Sequence, residues 1–70
     1  MSAAVGITVN GEQRAVAAGS SALDVLAELQ IAGRPVAVEV NEHVVPRGQL
    51  GTCMLRDGDR LEIVTLVGGG

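Results

Sequence analysis

The sequence predicts a two-layer α+β domain in which a single helix lies across one face of a mixed sheet, and three patterns carry that prediction. Apolar residues alternate with others at Val5, Ile7 and Val9, through Val36-Ala37-Val38-Glu39-Val40, and from Arg60 to Val67. Such alternation marks strands with one buried face. A single long segment, opened by Ser21, instead carries apolar residues at helical spacing. Asn10-Gly11 directly follows the first alternating run, and that dipeptide is a strong short-range hairpin signal.

The elements follow in order. After Asn10-Gly11 the return strand covers about Glu12 to Ala17. A two-residue loop places Arg14 opposite Ile7 and Val16 opposite Val5, with the Arg14 stem along the core edge and its head in water. A longer, bulged loop would turn Ala15 and Ala17 inward. The first register buries Val16 and is the one expected. Gly19-Ser20-Ser21 closes the hairpin and opens the helix. Ser21 suits the N-cap, and Asp24 three residues on completes a capping box and matches the helix dipole. Ala22, Val25, Leu26 and Leu29 then share a face, and the helix stops near Gln30, with Gly33 and Pro35 preventing its resumption.

Val36 to Val40 forms the third strand. Val44-Val45 before Pro46 reads as a short edge strand, because proline cannot donate within a central ladder. Gln49 to Leu55 is compact and irregular, with a turn of 3₁₀ helix and with Leu50 and Leu55 inward. Arg56-Asp57-Gly58-Asp59 is a turn. Arg60 to Val67 is the last strand, with Leu61 and Ile63 facing the core and Glu62, Val64 and Leu66 on the other side. The outer sheet face then carries Val44, Val64 and Leu66 as an aliphatic docking patch for a partner.

Composition sets bounds. Seventy residues make one small domain, and a hydrophobic content of 47% without any aromatic implies a core of short aliphatic side chains and modest stability. Charged or glycine residues interrupt every apolar run, so no transmembrane helix is expected. Met1-Ser2-Ala3-Ala4 has no basic stretch of the kind that opens a secretory signal, so the expectation is a soluble cytoplasmic protein. Net charge is -3, and the five basic residues, all arginines, are scattered without interleaved aromatics. That argues against nucleic acid as a partner. Lysine is absent, so the chain cannot accept its own C-terminus on a side-chain amine.

Catalytic groups do not converge. Cys53 is a lone cysteine, read as a small, semi-buried apolar residue. His43 has no partner, and no set of three or four metal ligands can be assembled. Asp57 and Asp59 belong to a turn rather than to a general acid–base pair. The chain is expected to be a protein co-substrate, not an enzyme.

The functional signal is Gly68-Gly69-Gly70 behind the last strand. Glycine lacks Cβ and weakens regular structure, so three in succession serve no packing purpose. Residues 1–66 are read as the folded domain and 67–70 as a thin, flexible tail able to enter a narrow cleft. The tail would deliver the α-carboxylate of Gly70 to another protein's chemistry. A carboxylate is a poor acyl donor, whereas its acyl-adenylate or thioester is a good one. The competing reading is a frayed, inert end.

Four segments together resemble the β-grasp, ubiquitin-like sulfur carriers, and among them the ThiS-like family of thiamine biosynthesis. They are Asn10-Gly11-Glu12, Gly19-Ser20-Ser21 before the leucine-rich helix, Asn41-Glu42-His43-Val44-Val45-Pro46-Arg47, and Asp57 through Gly70. The match runs from about Val5 to Gly70. An aromatic often found in the first or last strand of that family is missing, which bears on partner contact and not on the tail. The resemblance implies a β-grasp sheet of four to five strands on one helix. It implies that an ATP-dependent activating enzyme adenylates the Gly70 carboxylate, with ATP bound by that enzyme and no cofactor bound by this chain. Sulfur from a donor such as a cysteine desulfurase or a rhodanese-like protein would convert the adenylate to a thiocarboxylate, and thiazole synthase would accept the sulfur. Gly68 and Gly69 would enter the partners' active sites.

Alternatives keep the fold and change the role. Related carriers serve molybdopterin, cysteine or tRNA sulfuration, although molybdopterin carriers tend to be longer and to carry an early phenylalanine, which this chain lacks. A ubiquitin-like modifier of other proteins' lysines and a structural adaptor with an inert tail are the remaining classes.

Overall fold

The alternating runs pair into one sheet. The computed structural model describes residues 3–66 and contains β1 (Ala4–Val9), β2 (Glu12–Ala17), α1 (Ala22–Glu28), β3 (Val36–Val40), β4 (His43–Val45), a 3₁₀ segment (Arg47–Thr52) and β5 (Arg60–Thr65). The sheet order is β2-β1-β5-β3-β4. β1 and β5 run parallel and the other neighbours antiparallel. With α1 on one face, this is the mixed-sheet α+β architecture expected, and the expected 67–70 tail lies outside the described residues.

The first hairpin adopts the two-residue register, with Ile7 opposite Arg14 and Val5 opposite Val16. Asn10 and Gly11 both have positive φ, 51° and 85°, as a type I′ turn requires. Val16 is buried and Arg14 half-buried. The Asn10 side chain has a second task. β1 stops there, but its Nδ2 donates to the Ile63 carbonyl at 3.1 Å and its Oδ1 accepts from Ile63 N–H at 2.8 Å. The side-chain amide thus stands in for the peptide that a longer β1 would have offered to β5.

Ser21 caps α1 as expected. Its side chain accepts from Asp24 N–H, and the Asp24 carboxylate accepts from Ser21 N–H. The far end is closed by a device that the residue types did not announce. Gln30 adopts φ 62°, with Gln30 N–H on the Ala27 carbonyl and Ile31 N–H on the Leu26 carbonyl. This is a Schellman motif with glutamine at the position that usually takes glycine. The helix therefore ends upstream of Gly33. Ala22, Val25 and Leu26 are fully buried beneath it.

β4 is the expected short edge strand before Pro46, joined to β3 by a tight turn of Asn41 and Glu42, both at positive φ. The 3₁₀ segment buries Leu50, and Leu55 follows it into the core. These join Ile7, Val16, Val36, Val38, Leu61 and Ile63 in one aliphatic cluster.

β5 ends at Thr65 rather than continuing to Val67, which lies outside the described residues. Leu66 N–H still donates to the Pro35 carbonyl at 2.8 Å. Proline has no N–H to return, so the antiparallel ladder with β3 cannot gain another complete pair.

Two substitutions test these local devices. Asn10→Gly suits the turn's φ yet strips both bonds to Ile63, and is expected to destabilise by about 1–2 kcal/mol. Gln30→Gly relieves a left-handed side-chain residue and is expected to stabilise by about 0.5–1 kcal/mol. Urea titrations of both variants, read at an unchanged m value, provide the check.

Candidate functional site

β5 is the element that would lead into the tail, and its two faces have separate tasks. Leu61 and Ile63 are 1% and 8% exposed, whereas Val64 and Leu66 are 56% and 53% exposed. Period-two alternation produces this division, since successive side chains point to opposite sides of the sheet. Strand order then makes the division steep. β5 lies between β1 and β3, so its inner face meets the helix layer while its outer face meets solvent.

Val64 stands opposite Ala37 on β3, and Leu66 adjoins Pro35. Val44 is also on the outer face and is 71% exposed. It is not contiguous with the other two, because Glu39 lies between: Glu39 pairs with Val44 on one side and with Glu62 on the other. The expected aliphatic patch is thus divided by two carboxylates directly across a ladder, an arrangement that is electrostatically unfavourable in the free domain. Alternation placed Glu62 on this face, but the apposition of Glu39 and Glu62 depended on β3 pairing with β5.

The turn before β5 is held by side chains. Gly6 N–H donates to Asp57 Oδ1 at 2.7 Å, and Gly58 N–H to the Gly6 carbonyl at 2.7 Å. Asp59 accepts from Arg56 N–H through one oxygen and from Asn41 Nδ2 through the other, and Asn41 Oδ1 accepts from Arg60 N–H. Asp57 Oδ1 and both Asp59 oxygens are therefore engaged by the main chain and Asn41. Their role is to align the start of β5 with β1 and the β3–β4 turn. The contributions of Asn10 and Asn41 were not anticipated. The signal available was that both asparagines sit at strand ends, where a left-handed conformation leaves their amides free to pair.

Cys53 is half-buried against the core. Burial, and secondarily the Asp59 carboxylate, push its thiol above the ordinary range. Thiolate is consequently scarce near neutral pH, and Cys53 is a poor nucleophile. His43 is exposed on β4. Gly68, Gly69 and Gly70, the expected tail and attachment residues, lie outside the described residues.

A helix that follows an initial hairpin and covers a five-stranded mixed sheet with parallel β1 and β5 at its centre defines a ubiquitin-like, β-grasp protein. The chain belongs to the ThiS family, whose family model matches residues 7–70. It is similar to the crystal structure of the thiamine biosynthesis protein ThiS from Geobacter metallireducens. The two share 32% sequence identity and a TM-score of 0.79, over 94% of this chain and 100% of the other. It is also 41% identical over 64 residues to a thiazole synthase of Paramagnetospirillum magneticum; that match covers 91% of this chain but 20% of the relative. The chain thus spans about one fifth of that relative's length. An uncharacterised protein, ycf40, of Pyropia yezoensis is 35% identical across 94% of this chain and 93% of its own. The resemblance carried by the sequence motifs therefore stands as family membership.

The two faces of β5 predict opposite mutational effects. Leu61→Ala and Ile63→Ala are expected to cost about 2–4 kcal/mol of folding stability. Val64→Asp and Leu66→Asp are expected to stay within about 1 kcal/mol of the parent, as exposed substitutions do. Thermal melts of the four variants would reveal a reversed assignment if the aspartates, not the alanines, unfolded the domain.

Proposed function

We propose that this ThiS-family chain is a sulfur carrier for formation of the thiamine thiazole, and that its reactive group is the α-carboxylate of Gly70. The observation that carries the proposal is the extent of the family match, which runs to residue 70 and so includes Gly68-Gly69-Gly70. Support for the pathway comes from the ThiS structure with which the fold aligns and from the relatives named thiazole synthase.

In the proposed cycle an ATP-dependent activating enzyme binds the carrier. A Gly70 carboxylate oxygen attacks the α-phosphorus of ATP, and pyrophosphate leaves. The terminal sulfur of a protein persulfide then displaces AMP at the acyl carbon. A thiol cleaves the resulting acyl disulfide, releasing the thiocarboxylate and leaving a disulfide on the donor. The persulfide comes from a cysteine desulfurase or a rhodanese-like protein. Thiazole synthase accepts the sulfur, a role consistent with a matching segment inside proteins of that name, where a shared chain would raise the effective concentration of carrier near acceptor.

This chain's own residues contribute recognition and reach, as group carriers do. Gly68 and Gly69 present no side chain to a narrow channel. Val64 and Leu66, next to the tail, and Val44 beyond the glutamates form the docking face. The scarcity of Cys53 thiolate supports a main-chain site for the sulfur rather than a side-chain one.

With activating enzyme, ATP and a persulfide donor, the intact mass is expected to rise by a single oxygen-to-sulfur exchange. Oxidation of Met1, Met54 or Cys53 adds nearly the same mass, so fragmentation must place the change on the C-terminal peptide. A change confined to the sulfur side chains would sink the proposal. Deleting Gly69-Gly70 is expected to abolish adenylation without altering the melt. Val64→Asp and Leu66→Asp are expected to weaken binding to the activating enzyme about tenfold, through an unpaired charge desolvated at the interface. Titration of labelled carrier measures that loss.

A further inference from the structure

We propose that Arg47 is a positioning residue for the tail, acting through the loop that pins Leu66; this deepens the carrier reading and rests on it. Leu66 is the last described residue, and its main-chain N–H is held by the Pro35 carbonyl at 2.8 Å. Pro35 cannot return a bond, so among the described residues this one main-chain hydrogen bond holds Leu66 beyond the end of β5. The position of the Pro35 carbonyl then decides where the tail begins.

Pro35 ends the loop that connects α1 to β3. Within that loop Arg34 N–H donates to the Ile31 carbonyl at 3.0 Å, forming a turn. The turn is tied to the segment after β4, the neighbour of β3, by Arg47. Its Nη1 donates to the Arg34 carbonyl at 3.0 Å, and its Nη2 donates to the Ala32 carbonyl. The Arg34 carbonyl belongs to the peptide that enters Pro35, so the clasp acts one peptide away from the group that holds Leu66. Arg47 is itself well placed for this. It opens the 3₁₀ segment directly after Pro46, whose φ is -58° and whose carbonyl accepts from Gln49 N–H at 2.8 Å.

Residue chemistry fits the task. A guanidinium has a planar fork of donors that can serve two carbonyls together, whereas a lysine ammonium is a point donor on a flexible stem. Arg47 is exposed, so it fills no part of the core. Its two bonds restrict a loop whose other neighbour is the base of the tail.

The functional weight comes from the short span between Leu66 and the proposed reactive carboxylate of Gly70. Four residues reach at most about 14 Å. A displaced or swinging origin therefore takes a substantial share of that reach. Bringing the Gly70 carboxylate to a phosphate with the correct approach is a proximity and orientation problem. A pinned origin reduces the conformations searched after docking, without changing the docking face itself.

The experiment compares the full-length parent with Arg47→Ala and Arg47→Lys. Amide hydrogen exchange is followed at Leu66, with Thr8, which donates to the Asp59 carbonyl in the sheet centre, as the control. Arg47→Ala is expected to speed Leu66 exchange about tenfold while Thr8 stays at the parent rate. Adenylation by the activating enzyme is expected to lose about fivefold in kcat with an unchanged KM for the carrier. Arg47→Lys is expected to recover part of both. Unchanged Leu66 exchange in Arg47→Ala would overturn the proposal. So would acceleration shared equally by Thr8, or a rise in KM alone, because each describes a general loss of folded carrier. If the parent is not adenylated at all, the carrier reading fails, while the exchange comparison still decides whether Arg47 holds the origin of the tail.

Discussion

The parallel seam between β1 and β5 is the contact on which the rest of this domain depends. On one side stand β1 and β2 with the helix that follows them, and on the other β3, β4 and β5. The direct register across the seam is brief, Thr8 with Arg60 and Val9 with Leu61. The Asn10 amide lengthens it to Ile63. Parallel strands cannot be joined by a tight turn, so the seam joins two segments separated by residues 10–59. Its formation brings Leu61 and Ile63 over Ile7, Val25 and Leu26 and completes the aliphatic core. In a domain without aromatic side chains, no single large residue can replace that closure.

The seam also explains how stability and recognition coexist on one strand. As an interior strand, β5 is paired with β3 as far as Thr65 and with β1 over its first residues, and it can rely on Leu61 and Ile63 for its hold on the core. Its outward positions are then free of structural duty and available to a partner. An edge strand would present unpaired main-chain groups beside its reactive end, inviting association through the backbone. Here β2 and β4 occupy the edges instead, and β4 is short and bounded by Pro46. The acyl chemistry proposed for the tail would thus start from a strand held on β3 as far as Thr65.

Polar side chains do much of the alignment that a larger core would otherwise provide. Asn10 extends one ladder, Asn41 and Asp59 join the β3–β4 turn to the start of β5, Asp57 ties that start to Gly6, and Arg47 holds the loop before β3. Each bond contributes little net stability in an exposed setting. Their shared effect is on geometry, because they set where strands begin and end. The cross-strand pair Glu39 and Glu62 is the exception. Among the described residues it has no cation within ion-pair distance, since the Arg60 guanidinium reaches Glu42 at 3.5 Å.

Much of this architecture was legible in the residues. Val5, Ile7 and Val9, Val36 to Val40, and Leu61 and Ile63 announced their buried faces through period-two alternation. Ser21 with Asp24 announced the helix start, and Asn10-Gly11 announced both the first turn and, through it, the register that buries Val16. All of these are effects within a few residues, where backbone sterics and local hydrogen bonds determine the outcome. The helix stop near Gln30 was legible too, but the device that makes it was hidden, because a glutamine occupied a conformation that glycine usually marks. Beyond that first hairpin, which strands became neighbours was decided by tertiary structure. Alternation says which way a side chain points but not what stands beside it. Pro35 beneath Leu66, Glu39 against Glu62, and Arg47 on the carbonyls of Ala32 and Arg34 all follow from closing one aliphatic core around a central β5, a condition satisfied by the whole chain at once.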